Sequence, residues 1–371
     1  MQETSRGGGI MALIPDYVPP DFSRPEFGTA PAARCAPAPA DGVLPEGFHA
    51  TSNKPEYLHL GDGRWLLARE GRMDGVFVLR GEVLEVLEPR LIKKDDPVVI
   101  GRTENGEEGI YLHNNGFTTL AKPGDKFSFR TRDTRESPFS RSYDTLYEIL
   151  KHDRQHGCIV WVSGPALAFD RDSRNAMISL IENGYCHALL AGNALATHDL
   201  EAALFRTGLG QDIYTQELTP GGHCNHLDII NMVRRCGSIP AAISELGLND
   251  SIMGACERKR VPYLLAGSIR DDGPLPGVIA DVYQAQDAMR TFARRATTVI
   301  ALATQLHSIA FGNMLPGYQV QDNNAVRPVF FYVVDMSEFS VDKLANRGSL
   351  QAVPLLTNVQ DFMVNLQHNL T

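Results

Sequence analysis

Two stretches of the chain carry residues whose types and spacing could do chemistry. In Gly221-Gly222-His223-Cys224-Asn225-His226, two glycines free the backbone just before a helical pattern, and two imidazoles flank the opening. A helix start offers unpaired N–H groups and a positive dipole end, which suit a phosphate or carboxylate. Imidazole is the side chain best able to exchange protons near neutrality. In the second stretch, Arg270-Asp271-Asp272 puts a cation and two acids on one loop. Such a loop could grip an amino acid by carboxylate-to-Arg and ammonium-to-Asp contacts at once. A metal reading of His223, Cys224, His226 and Asp228 fails on spacing: only the two histidines sit like ligands and no third is placed, so no metal is expected.

The elements that must position these groups follow from hydrophobic periodicity. Leu227, Ile230 and Val233, with Ile229 beside them, predict a helix over 225–236 with one face on a core. From Cys158 onward, apolar strand-like runs alternate with helical patterns: Ile159–Val162 then 173–182, Ala188–Leu190 then 199–206, Tyr263–Ala266 then 282–294. Val299–Leu302 then 306–311, Val329–Val334 then 340–346, and Val353–Leu356 then 358–368 complete the series. Alternation of this kind means an α/β domain with a parallel sheet and helices on both faces. Ligands of such sheets bind beyond the carboxyl ends of the strands. The loops there are polar and glycine-bearing: Ser163-Gly164-Pro165, Ala191-Gly192-Asn193, Gly267–Gly273 and Gly312-Asn313-Met314 point to one shared crevice. Asp335 ends a strand, where an acid either holds a ribose hydroxyl or caps a turn with Ser337. No G-x-G-x-x-G is present, and Gly208-Leu209-Gly210 lacks the third glycine. His307 lies in a mostly apolar helix start and reads as a core histidine.

Upstream, residues 45–130 read as a small β-rich domain of short strands, with Gly61-Asp62-Gly63 as a hairpin signal. Residues 131–157 read as a polar linker and an amphipathic connecting helix, and 158–371 as the α/β domain. Residues 1–44, with Gly7-Gly8-Gly9, Pro19-Pro20 and a Pro/Ala run, read as a disordered or extended tail.

With 371 residues, 43% hydrophobic and 21% charged, the chain can bury a full core. A formal charge of −9 argues against nucleic-acid or anionic-membrane surfaces, which are bound through clustered Lys and Arg. Six cysteines without a C-x-x-C pair suit a reducing, cytoplasmic setting. No apolar run approaches the length of a membrane span, and the start lacks the order of a signal peptide.

Several of these loops carry a family resemblance. Through Phe48-His49-Ala50-Thr51-Ser52-Asn53, Leu190–Asp199, Gly221–Asn231, Ala266–Pro276, Leu306–Pro316 and Arg347–Gln351, the chain resembles the alternative-type ornithine cyclodeaminases of archaea and of cyanobacterial arginine-catabolising enzymes. This is the family of the LOR/SDH conserved region. The resemblance runs from about Gly47 to the C-terminus. It implies a Rossmann-like, deoxyhypusine-synthase-like NAD-binding sheet, a smaller β-rich companion domain, and conversion of ornithine to proline and ammonia. NAD would serve as a recycled cofactor, and the protein would act in proline formation and arginine catabolism as a homo-oligomer.

Under that resemblance a base is needed for the α-ammonium, and His223, Asp271 and Asp272 are the candidates. Asn53, Arg270 and His226 would bind substrate. Gly164, Gly192, Asn193, Gly221, Gly222, Gly312, Asn313 and Asp335 would bind the cofactor, the glycines by letting it approach the backbone. One crevice loop departs from the family. Where relatives typically read Val-His-Thr-Gly, this chain has Ala168-Phe169-Asp170-Arg171, which leaves open a related basic amino acid as substrate or a dehydrogenase outcome.

Overall fold

A computed structural model describes residues 14–118, 140–269, 273–321, 323–337 and 351–371. These residues divide into two compact units. The first holds 14–118 together with Asn313–Val329, and the second holds the described residues of 140–312, 330–337 and 352–371.

The first unit is built from antiparallel strands. One sheet has the order β1-β6-β4-β5, with β1 Arg34–Pro37, β4 Val76–Arg80, β5 Val83–Leu87 and β6 Pro97–Ile100. A second has the order β3-β2-β7, with β2 Glu56–His59, β3 Trp65–Leu67 and β7 Ile110–Leu112. Leu58, Phe77, Val86, Val99 and Ile110 meet in a common core. The hairpin signal closes β2 on β3, with Gly61, Asp62 and Gly63 all at positive φ.

Part of the stretch read as a tail is structure instead. Strand β1 pairs with β6, Phe22 stacks on Trp65 with ring centroids 4.6 Å apart, and Phe27 is buried. Composition averaged over 1–44 hides those aromatic anchors, and they supply the apolar contact that offsets the cost of ordering. Gly109 shows how closely the segment lies, because a Cβ there would sit 2.5 Å from the Ala33 nitrogen. A second departure comes from the other end of the chain. The hairpin of β14 (Tyr318–Val320) and β15 (Val326–Pro328) belongs to this unit, and the Tyr318 hydroxyl donates to the Ala68 carbonyl.

The second unit opens with α1 (Ser140–His156) and β8 (Ile159–Ser163), then α2 (Arg171–Glu182), β9 (Ala188–Gly192) and α3 (Asn193–Phe205). After the short ribbon of β10 (Thr207–Gly208) and β11 (Gln211–Asp212) come α4 (Asn225–Cys236), α5 (Ile239–Leu246), α6 (Ile252–Lys259) and β12 (Tyr263–Ala266). Then follow α7 (Val282–Ala293), β13 (Thr298–Leu302), α8 (Gln305–Met314), β16 (Phe330–Asp335), β17 (Gln351–Leu356) and α9 (Val359–Leu370). The six strands lie in the order β12-β9-β8-β13-β16-β17. The pairings of β12 through β16 are parallel, and the strands of β8 and β13 are fully buried.

Counting strands of this sheet along the chain, the order is third, second, first, fourth, fifth, sixth. That is the arrangement of dinucleotide-binding sheets, whose ligand crevice opens where the order reverses. Here the reversal falls between β8 and β13. The helices expected over 340–346 and the loop Arg270-Asp271-Asp272 lie outside the described residues.

Three elements differ from the expectation. Helix α3 begins at Asn193 rather than near 199, because the polar letters of Asn193, Thr197, His198 and Asp199 are buried and hide its apolar pattern. Gly312-Asn313-Met314 is the last turn of α8 rather than a strand-end loop, and Gly312 lets the Phe331 ring approach the helix. Leu227 is exposed, so α4 packs through Ile229, Ile230 and Val233.

Candidate functional site

At the reversal, glycines let neighbouring atoms of the chain approach closely. A Cβ on Gly164, just past β8, would be driven into the Ala303 carbonyl oxygen, just past β13. One strand along, a Cβ on Gly192 would sit 2.8 Å from Cε1 of His307. His307 therefore lies at the strand ends, partly exposed, with Nδ1 3.2 Å from the Thr304 hydroxyl, and is not a core residue. Its apolar helix start concealed this, since the neighbouring Leu306 is itself exposed. At the end of β8, the Ser163 hydroxyl is buried without a hydrogen-bond partner among the described residues.

Two helices start at this edge, and they differ. Asp170 caps α2 by accepting from Ser173 N–H, so a carboxylate already occupies the opening where dinucleotide-binding sheets place a pyrophosphate. Helix α3 starts at Gly192 with no side-chain cap, leaving its first N–H groups available. Asn193 is buried there, and its Oδ1 accepts from the Leu275 N–H at 2.9 Å. The Pro274 carbonyl is held by Arg234 at 3.0 Å. Both contacts fix the residues that follow 270–272 at the mouth of α3.

The opening at Gly221 and Gly222 is arranged differently from the expected anion mouth. Gly222 N–H donates to Thr219 O, and Cys224 N–H to Gly221 O, so these amides are already paired. Gly222 is needed because a Cβ would sit 2.7 Å from the Gly210 oxygen, and Gly221 because φ is +72°. His223 and Cys224 are exposed. Asp335 ends β16 and accepts the Ser337 N–H at 2.8 Å, the turn-capping alternative. Gly312 packs on Phe331, while the Asn313 Oδ1 is buried and unpaired among the described residues. Asn53 lies in the first unit with its carbonyl pressed against Gly317.

His226 has partners that spacing did not reveal. His198 and Glu201 project from α3 one turn apart, and His226 comes from the first turn of α4. Glu201 is fully buried. Its Oε2 lies 3.0 Å from Nδ1 of His198 and 3.7 Å from Nδ1 of His226, and its Oε1 accepts from the Thr207 hydroxyl at 2.9 Å. The Asn225 amide donates to that same hydroxyl. The two imidazoles stack with centroids 4.7 Å apart, and Phe169 meets His198 edge-on at 4.7 Å. Burial by itself would raise the Glu201 pKa. The hydrogen bonds from His198 and Thr207 and the nearby His226 ring outweigh it and hold the carboxyl at about 2, so it is ionised. Among the described residues this is the cluster of three histidine and acid side chains whose ligand-type atoms come within 4.8 Å of one another. Both Glu201 oxygens are already engaged by the protein. The signal that could have found Glu201 is its spacing three residues after His198 on a helix.

Comparison with known proteins matches this architecture. The family described as "Arginine dihydrolase ArgZ-like, C-terminal, Rossmann fold" covers residues 144–366. The ornithine cyclodeaminase of Methanocaldococcus jannaschii is 39% identical over 346 residues, 90% of this chain and 77% of that protein. That of Archaeoglobus fulgidus is 40% identical, over 88% and 76%. The chain belongs to the family of the archaeal ornithine cyclodeaminases. A crystal structure of a conserved LOR/SDH protein from Methanococcus maripaludis superimposes with a TM-score of 0.82 at 36% identity, over 92% of this chain and 98% of that one. The ternary complex of AgrE with ornithine and NAD⁺ gives a TM-score of 0.58 at 29% identity, over 92% of this chain and 46% of that longer protein. Among the described residues, no helix is long and apolar enough to cross a membrane.

Proposed function

We propose that this protein is an NAD-dependent ornithine cyclodeaminase, forming proline and ammonia in the cytoplasm as part of arginine and ornithine breakdown, and assembling as a homo-oligomer. The observation that carries the reading is the sheet order, whose reversal brings the glycine-bearing end of β8 and the end of β13 together beside the uncapped start of α3. It occurs in a chain whose relatives carry that activity by name. The residues present fit a dinucleotide: glycine backbone at two strand ends, the uncapped start of α3, and a buried Ser163 hydroxyl with no hydrogen-bond partner among the described residues. Gly164, Gly192 and Asn193 would hold it on this edge, with Asp335 at the end of β16 and Asn313 at the end of α8. The turn of Gly221 and Gly222 supports the ribbon at Gly210, and Gly312 supports α8 on Phe331.

When bound, NAD⁺ supplies a reversible hydride acceptor. The protein's part is to orient the two ends of a flexible diamine and to move protons. Arg270 would take the α-carboxylate, and Asp271 or Asp272 the ammonium, from a loop whose following residues are anchored by Asn193 and Arg234. Ornithine as its cation gives proline and ammonium ion, with no net proton or electron change.

Incubation with ornithine and NAD⁺ should therefore give proline and ammonia in equal amounts with no lasting rise in NADH absorbance. Accumulating NADH with an oxo acid as product would instead identify a dehydrogenase. Asn193→Ala tests the anchoring. Losing the bond to Leu275 should cost about 1 kcal/mol locally and weaken NAD⁺ binding by about tenfold. Calorimetry on the folded variant checks this, and an unchanged affinity would take Asn193 out of the site.

A further inference from the structure

We infer that the cavity at the amino ends of β9 and β12 is a second ligand site, built for a small organic molecule that carries two or three carboxylate or phosphate groups. This goes beyond the cyclodeaminase reading and does not depend on it. The cavity has a volume of about 420 Å³ and lies where the last turns of α1, α2 and α6 meet. A volume of this size takes a small organic molecule rather than a bare inorganic ion. The exposed part of its lining includes Arg154, Lys259 and Arg260, and the buried part is Ile181 and Cys186, on which a carbon skeleton can rest. Burial pushes the Cys186 thiol well above its ordinary pKa, so it stays protonated and adds no charge.

The positive charge here has nothing in the protein to neutralise it. None of the three cations has an acid partner among the described residues, although the chain as a whole has a formal charge of −9. The nearby acids are engaged elsewhere. Glu182, itself part of the lining, is paired with Arg258 at 2.6 Å, and Glu257 accepts from the Tyr263 hydroxyl at 2.7 Å. Asp153 accepts from the Thr297 and Thr298 hydroxyls at 2.6 and 2.8 Å. Lys and Arg at a helix C-terminus ordinarily serve the last carbonyls, but here backbone donors do that. The N–H groups of Tyr185 and Gly184 take the carbonyls of Leu180 and Ile181, and those of Val261 and Arg260 take the carbonyls of Cys256 and Glu257.

Arg154 is held in place without an ion pair. Its guanidinium lies over the Tyr185 ring, with Cζ 5.1 Å from the centroid, and its stem crosses Gly184, where a Cβ would sit 3.6 Å from Nε. Tyr185 is itself fixed, being buried with its carbonyl bonded to the Trp161 indole at 2.9 Å. A guanidinium stacked on a ring keeps its fork of N–H donors for a carboxylate or phosphate. His187, also in the lining, adds no charge: burial lowers its pKa, and its Nδ1 accepts the Ile159 N–H at 2.8 Å.

The sheet separates this cavity from the reversal crevice. Cys186 and His187 lead into β9 and Val261 and Pro262 lead into β12, whereas Gly192 is the last residue of β9. The five residues of that strand span roughly 16 Å, so both sites can be filled at once.

Calorimetry on the full chain at constant ionic strength tests the site, with citrate as the carboxylate probe, fructose 1,6-bisphosphate as the phosphate probe and sodium chloride as the comparison. One probe should bind saturably and raise Tm in step with its occupancy, and the tighter of the two names the anionic group. Arg154→Gln and Arg260→Gly should each weaken it by about tenfold. Glycine suits the φ of +56° at position 260, so the second variant keeps the turn while removing the cation. Glu182→Gln takes away the one acid of the lining and should tighten binding about twofold or more, which a merely structural role for these cations does not predict. Lys151→Gln, an exposed cation of α1 outside the cavity, should leave binding unchanged. Circular dichroism confirms the fold of each variant, and saturating NAD⁺ should leave probe binding within about twofold. A response that sodium chloride reproduces, full affinity in the folded double variant of Arg154→Gln and Arg260→Gly, or displacement of the probe by NAD⁺ would each overturn the assignment.

Discussion

Gly164→Ala should abolish NAD⁺ binding and lower stability as well. The new methyl group has nowhere to go: it is aimed at the carbonyl oxygen of Ala303, a backbone atom that no rotamer change can move. Ala303 is already at a φ of +48°, so the loop that would have to yield is itself in the left-handed region. Either the β8 and β13 ends separate, which breaks the bond from Gly164 N–H to Leu302 O, or the loops distort at the point where the dinucleotide is proposed to lie. A clash of this kind costs roughly 1–3 kcal/mol after relaxation. Gly221→Ala makes the matched comparison. It meets no atom within 4 Å and carries only the strain of φ +72°, worth about 1–2 kcal/mol. Urea unfolding and calorimetry on both variants should show loss of binding for Gly164→Ala and retained binding for Gly221→Ala. Full NAD⁺ affinity in folded Gly164→Ala would move the dinucleotide away from the reversal.

Asp199→Ala should be the most destabilising of the substitutions considered, although Asp199 touches no part of the crevice. Its carboxylate is wholly buried and meets Arg174 Nε at 2.8 Å while accepting the first amides of α6, Ile252 and Met253, each at 2.9 Å. Truncation leaves the Arg174 guanidinium, 2% exposed, with the Asp250 carbonyl and the exposed Asp250 carboxylate as its oxygen partners, and takes from α6 the acceptor of its first two amides while the Ser251 cap on Gly254 remains. Losing one partner of a buried pair costs about 3–5 kcal/mol. Asp199→Asn keeps an acceptor for one amide and should lose less. Urea midpoints at neutral pH would decide it, and a loss within ~1 kcal/mol for Asp199→Ala would mean that water reaches Arg174.

Helix α4 is legible in the sequence to its ends, because Ile229, Ile230 and Val233 keep helical spacing and Gly237 stops it at a φ of +83°. The strands of the parallel sheet are equally plain, since burial on both faces requires unbroken apolar runs such as Ile159–Val162. The loops at their carboxyl ends follow from that, and Gly164 and Gly192 stand where the alternation places them. Sheet order does not follow from periodicity, because pairing between β8 and β13 joins segments more than a hundred residues apart. The beginning of α3 was hidden by its own buried polar residues. Thr197 bonds back to the Asn193 carbonyl, and Asp199 and Glu201 are inside with their partners, so hydropathy reads the helix as broken. Glu201 was missed for the same reason, since its partners His226 and Thr207 come from other elements. At Gly221 and Gly222 two uses of glycine, approach of a ligand and approach of Gly210, write the same letters.

The return of Asn313–Val329 to the first unit also bears on the order of events during synthesis. The antiparallel sheets are made early, yet the carbonyl of Ala68 and the backbone of Gly71 find their partners only in Tyr318 and Gly317. A nascent chain that has just released residue 118 thus carries these groups unpaired while the whole of β8 through α7 is still to be translated. The amino-terminal unit is therefore finished after most of its neighbour has left the ribosome, so the two halves of this protein are completed together rather than in the order in which they are encoded.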